Sequence, residues 1–286
     1  MGALATGAAA GAEVAVYGDG EQLEELATAR DLAGVRVVDV GRASPEHRAA
    51  AGPIPENGAA QLAALEAATD AVLAGDADVL VTGPTSKAAI EAAGTRFTGQ
   101  TEHLARRAGL AGEDVTMLFL GPRLRVGLVT THLSVRDAAA ALSVARVRRT
   151  ATHLREALER LDQRGPVAVT GLNPHAGEGG LFGREDREVI APALSGIDAL
   201  VGPLPAEAAF RGAAEGRYAG VVAMLHDQAT IASKLLDWGE AVNVTWGLPF
   251  LRTSVDHGVA YDIAGTGRAS PSGMRAALEL AQRIGA

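Results

Sequence analysis

Residues 125–171 read RVGLVTTHLSVRDAAAALSVARVRRTATHLREALERLDQRGPVAVTG. Short apolar runs rich in β-branched residues stand at both ends of this stretch, as in buried strands. Between them lie long segments rich in alanine, leucine and arginine, which favour helices. Strands that alternate with helices in this way are typical of a parallel sheet covered by helices. The stretch therefore predicts an α/β fold.

The same alternation runs through the rest of the chain. Strands are predicted at residues 13–17, 35–40, 78–82, 116–120, 125–130, 167–171, 199–202, 220–225, 241–245 and 251–254. Helices are predicted at residues 21–31, 57–74, 86–93, 101–109, 135–142, 144–164, 185–194 and 270–284. The pattern shows no repeat period and no low-complexity linker.

Composition narrows the class of protein. A chain of 286 residues, 48% of them hydrophobic, can bury a large core, and we expect two intimately packed lobes. The formal charge of −8 and the lack of a basic block argue against binding to nucleic acid or to an anionic membrane. Cysteine is absent, which excludes disulfides, thiolate metal sites and a cysteine nucleophile. With no secretion signal and no apolar run of membrane-spanning length, a cytoplasmic protein is expected.

Lysine is rare in this chain. Of 26 basic residues, only Lys87 and Lys234 are lysines, and the other 24 are arginines. An ammonium group has a pKa that its surroundings can tune, whereas a guanidinium does not. The alternative is that these two lysines are present by chance. Both fall inside motif-like segments, which favours a functional role.

Three histidines directly follow strand-like runs: His132, His175 and His226. Ligands of open α/β sheets bind at the carboxyl ends of the strands. A single histidine there is more often a packing residue, but three together predict a shared metal site. Zinc or another borderline divalent ion suits imidazole ligands. Asp227 is predicted to orient one of these ligands.

Candidates for binding an anionic substrate lie elsewhere. The segment from Thr82 to Lys87 runs from a strand end through glycine and hydroxyl residues into a helix start, which offers backbone N–H groups to an anion. Thr101 stands at the start of a second helix, either as a cap or as a ligand donor. Lys234, Asn243 and Arg252 could together bind one anion, although each alone is more often structural.

No Gly-x-Gly-x-x-Gly stands between a strand and a helix, so a conventional Rossmann site is not expected. The segment from Asp256 to Gly265, DHGVAYDIAG, offers an alternative cofactor loop. An aspartate in it could bond both ribose hydroxyls and repel a 2′-phosphate, which favours NAD over NADP.

Several motifs together define a resemblance. They are TGPTSK from Thr82, FTGQTE from Phe97, TTHL from Thr130, GLNPHAGEGG from Gly171, VGPLPA from Val201, MLHDQ from Met224, NVTWGLPFLRTSVDHG from Asn243 and DIAG from Asp262. With them, the sequence resembles the 4-hydroxythreonine-4-phosphate dehydrogenase family of vitamin B6 synthesis from about Ala12 to the C-terminus.

The resemblance implies a fold like that of isocitrate and isopropylmalate dehydrogenases, an α/β/α sandwich of two lobes. Residues 1–96 and 247–286 would form the cofactor-side lobe, and residues 97–246 the metal, substrate and dimerisation lobe. It implies a homodimer that shares the active site at its interface. Implied site residues are metal ligands His132, His175 and His226, substrate contacts Gln100, Thr101, Lys234, Asn243 and Arg252, and cofactor contacts His257, Gly258, Asp262 and Ile263.

The implied reaction is NAD-dependent oxidation of 4-phosphohydroxy-L-threonine. A divalent metal ion, zinc by preference and otherwise magnesium, manganese or cobalt, would activate the substrate hydroxyl. Loss of carbon dioxide from the 3-oxo acid would give 3-amino-2-oxopropyl phosphate, with Lys234 stabilising the enolate. The catalytic residues implied are Lys234 and Asp227; the general base stays open.

The sequence departs from the family pattern in two places. Gln100 stands where the family usually has histidine, so an altered substrate preference is expected. The Gly-Asp-Pro-x-Gly-Ile-Gly-Pro-Glu segment that opens the family has no counterpart before Glu13, which predicts loss of one strand and part of the cofactor cleft.

Other functions stay open at this point. A related dehydrogenase could oxidise 4-phosphothreonate, 4-phosphoerythronate or a cyclic dihydrodiol, and Lys234, Asn243 and Arg252 favour a phosphorylated substrate among these. A metallohydrolase could use the three histidines to activate water, but the Asp262 loop argues against it. A non-catalytic metal-binding remnant is the third alternative.

Overall fold

The computed structural model describes residues 1–32, 34–41 and 52–285. Its strands are β1 Val14–Gly18, β2 Val35–Asp39, β3 Val79–Thr82, β4 Thr116–Leu120, β5 Arg125–Leu128, β6 Val167–Thr170, β7 Leu200–Leu204, β8 Gly220–Ala223, β9 Val242–Trp246 and β10 Leu251–Ser254. Its α-helices are α1 Gly20–Thr28, α2 Pro55–Ala74, α3 Lys87–Ala92, α4 Gln100–Arg107, α5 Val135–Ala141, α6 Val144–Arg160, α7 Ala191–Leu194, α8 Ala206–Ala214, α9 His226–Leu236 and α10 Ser272–Ile284. The predicted α/β class is confirmed.

The chain divides into two compact units. Residues Met1–Gly112 and Leu248–Ala286 form the first, and Glu113–Gly247 form the second. The division predicted from the sequence places Gly247, and residues 97–112, in the opposite lobe. Residues 97–112 belong to the first unit because Phe97 and Leu104 are buried in one apolar cluster with Ile90. The functions predicted for the two lobes stay predictions.

The sheet of the second unit is mixed rather than parallel. Its strands lie in the order β9-β4-β5-β8-β6-β7. Strands β5, β8, β6 and β7 are parallel, whereas β4 is antiparallel to both β5 and β9. The all-parallel prediction was therefore wrong for β4. Because only four residues connect β4 to β5, the chain turns back as a hairpin instead of crossing over.

Helices cover both faces of this sheet. Strand residues such as Val126 and Val221 pack with Ala209 of α8 and Ala229 of α9 on one face. Helix α6 covers the other face at close range: a Cβ added to Gly127 would lie 2.9 Å from Thr150 Cγ2. Any larger residue at this glycine would push α6 away from the sheet.

In the first unit, β1 pairs with β2 and β3 pairs with β10, both in parallel. Its apolar cluster joins α2, β3, α3 and α4 through Leu65, Val72, Leu80, Ile90, Phe97, Leu104 and Phe250. Helix α10 packs on β10, where Thr253 Oγ1 donates to the carbonyl of Ala277 at 3.0 Å.

Most predicted elements are found within a few residues of their predicted bounds, but α8 and α9 were missed. The predicted helix 185–194 is a π-helical turn, Asp186–Ile190, followed by α7. Within the described ranges, no helix combines the length and apolarity needed to cross a bilayer.

Candidate functional site

The three candidate metal ligands follow three neighbouring strands of the second unit. His132 follows β5, His226 follows β8 and His175 follows β6. Because β5 and β6 both pair with β8 in parallel, the three carboxyl ends lie along one edge of the sheet. The topology therefore brings all three histidine-bearing segments to the same edge.

Two of the three histidines lie close together. The ring centroids of His132 and His226 are 5.6 Å apart. His226 Nδ1 lies 2.8 Å from Asp227 Oδ1. In a neutral ring that donates Nδ1–H to this carboxylate, Nε2 has a free lone pair. This arrangement of a histidine oriented by a carboxylate is the one found around metal ligands.

His175 lies on an unusual loop and is exposed. Residues 175–179 all have positive φ angles, and three of them, His175, Ala176 and Glu178, are not glycine. The His175 ring lies near Phe182, tilted by 46° at a centroid distance of 6.2 Å. Across residues 1–32, 34–41 and 52–285, no three histidine or acidic side chains are close enough to hold a metal ion. The imidazole donor set nonetheless fits a borderline divalent ion, and the three-histidine site stays a prediction.

A buried carboxylate fixes the start of the His175 loop. Asp186 is 2% exposed, and its two oxygens accept from Leu172 N at 2.8 Å, Asn173 N at 3.3 Å and Asn173 Nδ2 at 2.8 Å. The same Asn173 amide donates to Glu185 at 2.8 Å. Hydrogen bonds from its own backbone and from Asn173 lower the pKa of Glu185. These contacts hold the backbone two residues before His175.

A polar network also joins the carboxyl ends of the three strands. Thr130, which is buried, donates from Oγ1 to the carbonyl of Met224 at 2.6 Å and so links β5 to β8. Gln228 on α9 links β8 to β6 through contacts with Met224 and Gly171. No role was predicted from the sequence for Gln228, Thr130 or Asp186. Glutamine at the third position of a helix is a known capping signal that could have drawn attention to Gln228.

Two predicted substrate contacts lie in the second unit. Lys234 stands eight residues after His226 on α9, slightly more than two turns along the helix. Asn243 lies in β9, and its Oδ1 is buried without a hydrogen-bond partner among the described residues. A buried carbonyl of this kind is costly to leave unsatisfied, so it suits a donor group of a ligand.

Arg252, Gln100 and Thr82 meet in the first unit. The Arg252 side chain is 3% exposed, and it donates from Nε and Nη2 to Thr82 Oγ1 at 3.1 and 2.8 Å. Nη2 also donates to Gln100 Oε1. Gln100 Nε2 in turn donates to the Gly83 carbonyl at 2.9 Å and to Thr85 Oγ1 at 3.0 Å. Burial lowers the pKa of Arg252 to about 10, so the group is still a cation at neutral pH.

The neighbouring residues complete a site suited to an anion. Thr101 follows Gln100 in the first turn of α4 and is half-buried, and Lys87 is exposed at the start of α3. Ser86 caps α3, accepting from Ala89 N at 3.2 Å. The Glu102 carboxylate raises the pKa of the buried Arg252, and the role of this cation in binding a substrate anion stays a prediction.

The predicted cofactor loop follows β10 in the first unit. It contains a 3₁₀ turn, Tyr261–Ile263, and the exposed Asp262. His257 Nδ1 lies 2.9 Å from the Gly258 carbonyl. The Tyr261 hydroxyl is buried without a hydrogen-bond partner among the described residues. The loop thus offers an exposed carboxylate, and its His257 ring lies beside Gly273 in the first turn of α10, but its role with NAD stays a prediction.

Comparison with known proteins identifies the relatives of this chain. Residues 7–281 match the family described as pyridoxal phosphate biosynthetic protein PdxA. A 4-hydroxythreonine-4-phosphate dehydrogenase from Geobacter metallireducens is 47% identical over 238 residues, covering 81% of this chain and 69% of that protein. A D-threonate 4-phosphate dehydrogenase from Salmonella typhimurium is 39% identical over 269 residues, covering 92% and 81%.

A solved structure agrees with these sequence matches. The 4-hydroxythreonine-4-phosphate dehydrogenase from Klebsiella pneumoniae superposes with a TM-score of 0.81 at 34% identity, covering 96% of this chain and 89% of that one. The chain is therefore an oxidoreductase of α/β fold. It belongs to the family of pyridoxal phosphate biosynthetic protein PdxA.

Proposed function

We propose that this protein oxidises 4-phosphohydroxy-L-threonine with NAD and a divalent metal ion, giving a 3-oxo acid that decarboxylates to 3-amino-2-oxopropyl phosphate. The main support is the adjacency of His132 and His226 at the carboxyl ends of β5 and β8, in a chain of this family. The hydroxyl carbon would lose a hydride to NAD and the hydroxyl a proton. The carboxylate would then leave as carbon dioxide.

Each predicted residue has a distinct role in this proposal. A divalent ion, zinc by preference and otherwise magnesium, manganese or cobalt, would be held by His132, His175 and His226 and would supply Lewis-acid charge at the substrate hydroxyl. Asp227 keeps His226 in the tautomer that presents Nε2. Lys234 would stabilise the enolate formed when carbon dioxide leaves.

Substrate and cofactor contacts complete the proposal. Arg252, with Gln100 and Thr101, would bind an anionic group of the substrate, and Asn243 would use its buried Oδ1 to accept from a substrate donor. The loop residues His257, Gly258, Asp262 and Ile263 would hold the adenosine part of NAD. Asp262 would favour NAD because its charge repels a 2′-phosphate.

A second candidate substrate is 4-phosphothreonate or its stereoisomer 4-phosphoerythronate. Gln100 supports it, because both ends of its amide are engaged, by Arg252 and by Gly83 and Thr85. A neutral amide in this position cannot supply a charge to a substrate group. One relative also carries the name D-threonate 4-phosphate dehydrogenase.

The test is NADH formation, followed by absorbance, with zinc, manganese or magnesium added to the purified protein. The substrates are 4-phosphohydroxythreonine, 4-phosphothreonate and 4-phosphoerythronate, each offered separately. Metal-dependent reduction with one of them identifies the substrate. A His175→Ala variant is expected to lose most metal binding and activity, and unchanged turnover in it would contradict the three-histidine site.

A homodimer in the cytoplasm is part of the same proposal. Helix α9 exposes two large apolar side chains four residues apart, Ile231 at 59% and Leu235 at 79%, and Trp238 beyond the helix is 80% exposed. An apolar stripe of this kind is typical of a protein interface. Since the same helix begins with His226, a second copy of the chain bound there would lie beside the proposed site. The cytoplasm is proposed because NAD and phosphorylated intermediates are kept inside the cell.

A further inference from the structure

Gln228 lies in the first turn of α9, two residues after His226. Its side chain is half-buried and reaches the carboxyl ends of both β8 and β6. The amide oxygen accepts from Met224 N at 3.0 Å, Leu225 N at 3.0 Å and Thr170 Oγ1 at 3.2 Å. The amide nitrogen donates to the Gly171 carbonyl at 3.0 Å.

The orientation of this amide is determined by its surroundings. Met224 and Leu225 present backbone N–H groups, which can only donate, and Gly171 presents a carbonyl, which can only accept. A flipped amide would lose all three contacts. Both functional groups of the glutamine are therefore needed at once.

These contacts cross-link the segments that carry the candidate metal ligands. Gly171 lies four residues before His175, and Met224 lies two residues before His226. Thr130, two residues before His132, extends the link to β5 because its hydroxyl donates to the Met224 carbonyl. The polar network thus connects the backbone of all three segments at the edge of the sheet.

We propose that Gln228 is a positioning residue for the metal site, fixing the His175 segment relative to the His226 segment. The inference rests on the proposed three-histidine site. Preorganised ligands bind a metal more tightly because less conformational freedom is lost on binding. Without the Gln228 amide, one hydrogen bond still links the strand ends at Gly171 and Met224, from Met224 N to Thr170 Oγ1 at 3.3 Å. The link from Gln228 to the Gly171 carbonyl is lost.

A purely structural role for Gln228 can be separated from this one. As the third residue of α9, its side chain caps the helix by accepting from Leu225 N. Glutamate serves this capping role as well as glutamine does. Glutamate cannot donate to the Gly171 carbonyl, however, and would set a carboxylate oxygen against a carbonyl oxygen. The variant Gln228→Glu therefore keeps the cap and breaks the bridge.

The experiment is a titration with cobalt(II) alone, followed through the visible absorbance of the bound ion. It compares the unsubstituted protein with Gln228→Glu, with Gln228→Met and with the control Gln282→Glu on the exposed side of α10. Gln228→Glu is expected to bind cobalt about 10- to 100-fold more weakly, the usual effect of removing a group that orients metal ligands. Its absorbance spectrum should also change shape, whereas Gln282→Glu should match the unsubstituted protein.

Each outcome decides between the two roles. Circular dichroism and the thermal midpoint identify any variant that fails to fold; if Gln228→Met fails, Gln228→Glu, which retains the cap, carries the test. Equal cobalt affinity and spectrum for Gln228→Glu and the unsubstituted protein overturn the positioning role and leave Gln228 as a helix cap. No cobalt binding by the unsubstituted protein overturns the metal site and, with it, the role assigned to Gln228.

Discussion

Replacing Asp186 by asparagine tests the support of the His175 loop. The carboxylate accepts three hydrogen bonds, from Leu172 N and from the backbone and side-chain nitrogens of Asn173. An asparagine side chain keeps one acceptor oxygen and turns the other into an NH₂ group that faces a donor. At about 1.5–3 kcal/mol for a hydrogen bond to a charged group, one lost bond and two weakened ones should lower the free energy of unfolding by about 2–4 kcal/mol.

The expected change is large enough to measure by thermal denaturation. A chain of 286 residues unfolding cooperatively has an entropy of unfolding of about 0.6 kcal/mol/K, so the midpoint should fall by about 3–7 °C. The control is Asp198→Asn, at an exposed aspartate of the same unit, which should leave the midpoint unchanged. If Asp186→Asn unfolded at the same temperature as this control, the hydrogen bonds of Asp186 would not stabilise the loop.

Three further predictions concern other parts of the second unit. Burial lowers the pKa of His153 in the folded state. As pH falls below about 6.5, the unfolded chain therefore takes up a proton first, and the free energy of unfolding decreases. In urea unfolding, His153→Gln should lose less of this free energy between pH 7.5 and 5.5 than the unsubstituted protein does. Gly121→Ala would place a Cβ 2.2 Å from the buried Asp237 Oδ2, and should cost about 1–3 kcal/mol, seen as a lower urea midpoint with an unchanged slope. Leu235→Glu should convert the proposed dimer to a monomer in light scattering after size exclusion, and a monomeric unsubstituted protein would refute the dimer.

The sequence predicts the strands of this fold well because they are short, mostly apolar runs between turns. Its pattern does not predict the direction of β4, since a hairpin strand and a parallel strand buried on both faces have the same composition. Only pairing with β5 and β9 shows that β4 is antiparallel.

Helix α9 was missed for a different reason. Two of its three large apolar residues, Ile231 and Leu235, are exposed, while the small Ala229 and the polar Thr230 and Ser233 are buried. In α9 the apolar residues therefore do not mark the buried face, as they do in most helices. For this reason the segment lacks the apolar pattern that predicts a helix.

The candidate site was predicted only in part. His132, His175 and His226 could be singled out because strand ends are readable from sequence. The contacts of Gln228 depend on how β6 and β8 pair, which no local pattern encodes.

Helix α9 presents two kinds of surface within eleven residues. His226 lies at the sheet edge and Gln228 belongs to the polar network there, while Ile231 and Leu235 are exposed. Selection can therefore act on the two surfaces separately. Random substitutions along this helix should fall into two groups. One group should change activity or metal binding without changing the oligomeric state, and the other should change the oligomeric state. If the proposed dimer forms through Ile231 and Leu235, we expect these residues to vary among relatives together with the surface that they contact, and Gln228 to vary together with the histidines.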